Sequence, residues 1–96
     1  MSVTIVVNLQ AAEGNATKLA ALLQQGRDFS RKAEGCESFE VFQRQDDPNK
    51  FMFLEQWVSL ETHKENVAKN VVASGHLDKI KALLTGPPDN GVIEAV

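Results

Sequence analysis

Residues 50–58 read Lys-Phe-Met-Phe-Leu-Glu-Gln-Trp-Val, and this run is apolar on both faces of an extended strand. Phe51, Phe53 and Trp57 point one way, Met52, Leu54 and Val58 the other. Helices laid on one side of a sheet leave the second side to be covered by something else. Val6 and one of the pair Phe39/Phe42 add to the surplus, and an apolar patch of several hundred Å² is abnormal on a monomer. A second copy packed sheet to sheet covers it economically, so the run predicts a two-fold homodimer. The plainer alternative is a thick core under the helices with ordinary apolar scatter on the far face.

The rest of the chain supplies the layers. Val3, Ile5, Val7 and Leu9 alternate with Thr4, Val6, Asn8 and Gln10, which predicts a first strand over about residues 2 to 11 with Asn8 directed away from the main apolar face. After Gly14-Asn15, Leu19, Leu22, Leu23, Gly26, Phe29 and Ala33 recur at three- and four-residue spacing, an amphipathic helix stopped by Gly35. Residues 36–45 and 50–58, joined by Asp46-Asp47-Pro48-Asn49, predict a hairpin. Ser59 caps a second helix carrying Leu60, Val67 and Val71. Ser74-Gly75 interrupts it before a third helical segment with Leu77, Ile80, Leu83 and Leu84, which Gly86-Pro87-Pro88 terminates. Residues 91–96 form a closing strand. The order β-α-β-β-α(α)-β is the split βαβ of ferredoxin-like α+β folds, here a single domain over residues 1–96.

Charge and composition exclude several classes of function. The chain has 96 residues, with 10 Lys and Arg against 13 Asp and Glu, a net charge of −3. The positive charges are scattered, so nucleic acid is not an expected partner. No apolar run long enough to span a membrane is present, nor a basic flank and cleavage pattern at the start, so no membrane association is expected and the cytoplasm is the expected location. Cys36, the single cysteine, has no partner for an internal disulfide and reads as a small packing residue. Dinucleotide, phosphate-loop, serine-hydrolase and zinc-hydrolase motifs are missing, and His63 and His76 have no spacing suited to a metal site.

Glu34-Gly35-Cys36, Asp46-Asp47-Pro48, Phe51-Met52-Phe53-Leu54-Glu55-Gln56-Trp57 and Leu83-Leu84-Thr85-Gly86-Pro87-Pro88 occur in an order that resembles the antibiotic biosynthesis monooxygenase (ABM) domain family. Members of that family carry E-P-G-C, D-D-P and F-x-x-x-E-x-W and close with L-L-x-G-P-P. The resemblance implies a dimeric α+β barrel of two ferredoxin-like protomers and a monooxygenase that oxidises an electron-rich aromatic, quinol or polyketide-like small molecule without metal or flavin cofactors. Relatives on the same scaffold include haem-degrading enzymes and an isomerase, and a non-catalytic small-molecule-binding protein or isomerase is the alternative function. Two histidines that many members carry on the helix after the tryptophan are replaced here by Asn66 and Val71. Haem degradation is disfavoured, because Asn66 stands where those relatives have a tryptophan and Asn8 is one residue out of register.

Oxygenation without a cofactor requires that the substrate be deprotonated, that its anion be held and that water be kept out. At about 100° per residue, His76 falls inside the arc of Leu77, Ile80, Leu83 and Leu84, so it faces the sheet and is the first candidate for the catalytic base. The alternative is a core histidine bonded to a backbone carbonyl. His63, the second catalytic candidate, lies about 60° from the stripe of Leu60, Val67 and Val71, at the border of packed and wet. Trp57 offers an aromatic wall and an indole donor. Asn8 is a polar group in an apolar strand that needs a partner if buried. Asn66 and Arg44 complete the candidate substrate-binding set. Arg44 is also placed to pair with Glu55 across the hairpin.

Overall fold

The computed structural model describes residues 2–96. Its elements are β1 (Val3–Gln10), α1 (Ala16–Arg31), β2 (Cys36–Gln43), β3 (Lys50–Trp57), α2 (Leu60–Asn66), a π-helical turn (Val67–Val72), α3 (His76–Lys81) and β4 (Asp89–Ile93). The strands form one antiparallel sheet in the order β2-β3-β1-β4, the split βαβ arrangement expected from the sequence.

Strand register decides which side chains share a face. Val3, Ile5, Val7 and Leu9 stand opposite Trp57, Glu55, Phe53 and Phe51, while Phe39 and Val41 stand opposite Glu55 and Phe53. All of these look toward the helices. The core divides into two clusters at opposite ends of this face. Leu9, Ala11 and Phe51 pack with Leu19, Leu23 and Ile80, and Ile5 and Phe39 pack with Trp57. Val7, Val41 and Phe53 touch both clusters and are only partly buried.

The gap between the clusters follows from the buried stripe of α1, which runs Leu19, Leu23, Gly26, Ser30. Two leucines fill the space over Leu9 and Phe51, each burial stabilising by about 2 kcal/mol. One turn later the same stripe carries glycine and serine, which cannot reach the sheet. Gly35 then lets the chain return. Its φ of +86° is left-handed, and a Cβ there would lie 2.7 Å from the Thr62 side chain, so only glycine fits. Ser59 caps α2, its Oγ accepting the Thr62 N–H at 3.1 Å.

Several boundaries differ from the sequence expectation. The third helix ends at Lys81 rather than running on through Leu84, which pairs instead with Ala11 in an isolated bridge. The second helix continues into a π turn in which the Ala73 N–H bonds the Ala68 carbonyl at 3.1 Å. Hydrophobic periodicity carries no signal for such a turn. The closing strand begins at Asp89, two residues before the expected start.

No helix among the described residues covers the other face of the sheet. Val6, Phe42, Met52, Leu54 and Ile93 lie on it by register, with Phe42 47% and Ile93 44% exposed. Phe51 belongs to the core and Met52 to the open face. No helix among the described residues is long and apolar enough to cross a membrane.

Candidate functional site

The gap in the core is a cavity of about 540 Å³ between the helices and the sheet. Ile5, Val7 and Phe53 form its floor, and Phe29, Val67, Val71 and Leu77 contribute its other apolar walls. The exposed Leu60 and Val92 lie at its rim. Into this apolar space project Ser30, Glu55, His63, Asn66 and His76. Few polar groups converging in a mostly apolar hollow is the general form of a small-molecule site.

Glu55 is only 4% exposed, and its inward position is fixed by β-strand alternation between Phe53 and Trp57. Burial pushes its carboxyl up to about 7, against the pull of the Trp57 indole N–H, which donates to Oε1 at 2.9 Å. His63 Nε2 stands 3.7 Å from the same oxygen, with its ring edge-on to Trp57 at 5.7 Å. Burial, and then the Lys64 charge, hold this imidazole below its ordinary value. Distance alone would admit an ion pair, yet burial raises the carboxyl and lowers the imidazole, so both shifts work against a charged pair here. His63 Nδ1 is buried without a hydrogen-bond partner among the described residues.

Asn66 closes α2 immediately before the π turn and is held at both ends of its amide. Its Nδ2 donates to Ser30 Oγ at 3.1 Å, and its Oδ1 accepts from Asn70 Nδ2 at 2.8 Å. His76 opens α3 after the left-handed Gly75 and packs edge-on against Phe29 at 5.0 Å. Its Nε2 faces Gly26, where a Cβ would come within 3.0 Å, and makes no hydrogen bond. Burial lowers the affinity of this imidazole for a proton, outweighing the nearby Leu22 carbonyl.

Of the six residues singled out in the sequence, the fold brings His63, Asn66 and His76 to one cavity. Trp57 is fully buried and stands behind Glu55 rather than in the wall. Asn8 and Arg44 lie elsewhere, beside a separate depression of about 480 Å³ that Phe42, Met52 and Thr85 also line. Arg44 pairs with Asp46, and the expected ion pair with Glu55 does not form, because Glu55 stands opposite Phe39 on β2. His63, expected at a packed-wet border, lines the cavity. Glu55 is the site residue that sequence reasoning missed. Its signal was an acidic residue at an inward strand position between two aromatics. Among the described residues there is no cluster of three or more His, Cys, Asp or Glu able to hold a metal ion.

The same fold recurs in solved structures. Rv0793 from Mycobacterium tuberculosis superimposes with a TM-score of 0.87 at 19% identity, over 100% of this chain and 96% of that one. A protein from Deinococcus radiodurans does so with a TM-score of 0.85 at 25% identity, over 98% and 92%. A variant of SnoaB, a cofactor-independent oxygenase from Streptomyces nogalater, follows at 0.83 and 17%, over 98% and 92%. No curated protein matches the sequence. The family model described as antibiotic biosynthesis monooxygenase matches residues 2–82, a span that includes Ser30, Glu55, His63, Asn66 and His76 of the cavity, and the chain therefore belongs to the antibiotic biosynthesis monooxygenase family.

Proposed function

We propose that this protein is a monooxygenase acting, without metal or flavin, on an electron-rich aromatic, quinol or polyketide-like small molecule held in the cavity between helices and sheet. The observation that carries this reading is the cavity itself, an apolar hollow of about 540 Å³ into which Glu55, His63, Asn66 and His76 project. Such chemistry needs a substrate whose anion reduces dioxygen directly. One oxygen atom enters the substrate and the other leaves as water. The protein's part is to take a proton, hold the anion and keep bulk water away. Glu55, His63 and His76 are the proton-accepting groups at the cavity wall, and the anchored Asn66 amide supplies a donor for an oxyanion. The likeness to SnoaB, itself a cofactor-independent oxygenase, supports the same economy here.

The working unit in this reading is a homodimer formed through the open sheet face. An open sheet face carrying Val6, Phe42, Met52, Leu54 and Ile93 has no cover among the described residues, and sheet-on-sheet packing buries it.

Oxygen uptake with model anthrones and hydroquinones, before and after treatment with a chelator, tests the function. Uptake that depends on the protein and survives chelation is expected. Tight binding of these compounds with no uptake would identify a binding protein, and conversion without oxygen an isomerase.

A further inference from the structure

Of the titratable groups that line the cavity, Glu55, His63 and His76 are the ones that can accept a proton from a hydroxyl, and they differ in which atom is free to do it. His76 directs Nε2 at the Gly26 backbone of α1, and its Nδ1, which makes no hydrogen bond among the described residues, is the rival that the test must separate from Glu55. His63 directs Nε2 at Glu55, and its Nδ1 is sealed away from solvent. Glu55 is engaged only through Oε1, which accepts from Trp57 and faces His63. Its Oε2 makes no hydrogen bond among the described residues, and it is not one of the sealed-off polar atoms, which are His63 Nδ1 and His76 Nε2. An unengaged carboxyl oxygen reachable from the cavity is what a general base presents.

We infer that Glu55, through Oε2, is the catalytic base that takes the proton from a phenolic or enolic hydroxyl of the substrate, with Trp57 as the residue that positions it. The inference rests on the proposed oxygenase reading and deepens it. The step is a single proton transfer. The substrate O–H bond breaks, an O–H bond forms on Glu55, and the electron pair stays on the substrate oxygen, so the site carries one negative charge before and after. Burial favours this direction, because the charge leaves a compact carboxylate and spreads over an aromatic system that tolerates a poor dielectric better. The Trp57 indole holds the carboxyl at Oε1 and leaves Oε2 without a hydrogen bond.

The surroundings of Glu55 contain few competing charges. Ile5 of β1 and Phe39 of β2 stand opposite it, and the inward positions of α1 are Gly26 and Ser30. The titratable groups around it and its cavity are Cys36 on β2, whose thiol is pushed up by burial and by the Glu55 charge, His63 and Lys64 on α2, and His76 and Lys81 on α3.

The test uses para-nitrophenol, a phenol that cannot be oxygenated in this way and whose phenolate is yellow, at about pH 8, where a carboxyl of about 7 is ionised. On binding to the wild type, the infrared band of a protonated carboxyl should appear while the bound probe stays phenolate. In Glu55→Gln, whose amide oxygen still accepts from Trp57, the band should be absent, and turnover of a model anthrone should fall at least about 100-fold in kcat with KM little changed and with the limb near 7 gone. Probe bound as neutral phenol with Glu55 still a carboxylate, or turnover unaffected in Glu55→Gln, overturns the assignment while leaving the oxygenase reading standing. Failure of the wild type to bind the phenol sinks that reading and the assignment with it. If Glu55→Gln does not fold, Trp57→Phe serves in its place. Loss of the indole donor should move the pH limb upward, and an unmoved limb overturns the assignment.

Discussion

Trp57 and Glu55, two residues apart on one strand, close a hydrogen bond from the indole N–H to the carboxyl at 2.9 Å, with both side chains buried. The bond lowers the carboxyl's pKa, yet burial wins and leaves it at about 7. A strand that spends an inward position on glutamate gives up core packing there, and the indole limits the cost by pairing the group it buries.

That cost should appear in the pH dependence of stability. The folded-state pKa of Glu55 is raised above the usual carboxylate value, so the native state binds more protons than the unfolded one between about 4.5 and 7. Stability is therefore lost as pH rises through that window. Glu55→Gln should remove this loss, making the variant more stable than wild type by up to about 3 kcal/mol at about pH 8 but not at about pH 4. Urea unfolding of both proteins at the two pH values measures the difference. The lowered His63 and His76 values act in the opposite sense, weakening the fold as pH falls below about 6.5, and they cancel in the comparison.

Two glycines with the same backbone angle should respond differently to alanine. Gly14 at φ +85° has open space where a Cβ would go, whereas the Cβ at Gly35 would lie 2.7 Å from Thr62. Gly14→Ala should cost about 1 kcal/mol, the strain of a left-handed residue. Gly35→Ala should cost at least about 2 kcal/mol more, because Thr62 sits inside the capped first turn of α2 and cannot move freely. Thermal or urea unfolding ranks the two.

His76→Ala should lower turnover of a model phenol or anthrone, with the larger share of the loss in KM, since its ring packs against Phe29 in the cavity wall. Gly26→Ala provides an independent probe. A Cβ there would come within 3.0 Å of His76 Nε2, so the ring must shift, and the proton resonances of His76 should move while the helix gains about 1 kcal/mol of propensity. Steady-state kinetics and histidine NMR read the two effects.

The open face should be the contact between copies. Light scattering or sedimentation at micromolar concentration is expected to give about twice the 10.5 kDa chain mass. Met52→Glu or Leu54→Glu should shift the protein to monomer, because a charge would be buried unpaired, at a cost of several kcal/mol (about 3 or more). Unchanged mass in both variants would place the contact elsewhere.

The order of elements and the alternation along β1 and β3 were legible in the sequence, because the periods of strand and helix are local properties of the chain. Alternation alone grouped Phe51, Phe53 and Trp57 on one face of their strand and set Asn8 apart from Val7 and Leu9 on its own strand, and helical spacing turned His76 inward. Ser59 declared itself as a cap by residue type and position. Which residues of different elements meet is a matter of register and docking, and only the tertiary structure decided that. It placed Phe39 rather than Arg44 opposite Glu55, brought His63 to within 3.7 Å of the carboxyl, and tied Asn66 to Ser30 across 36 positions of sequence. It also turned a pair of small residues on α1 into a cavity, since Gly26 and Ser30 leave a void only where the helix passes over Val7 and Phe53. The raised carboxyl of Glu55 belongs to the same level. A pKa responds to the solvent and charges around a group, and neither exists until the layers close.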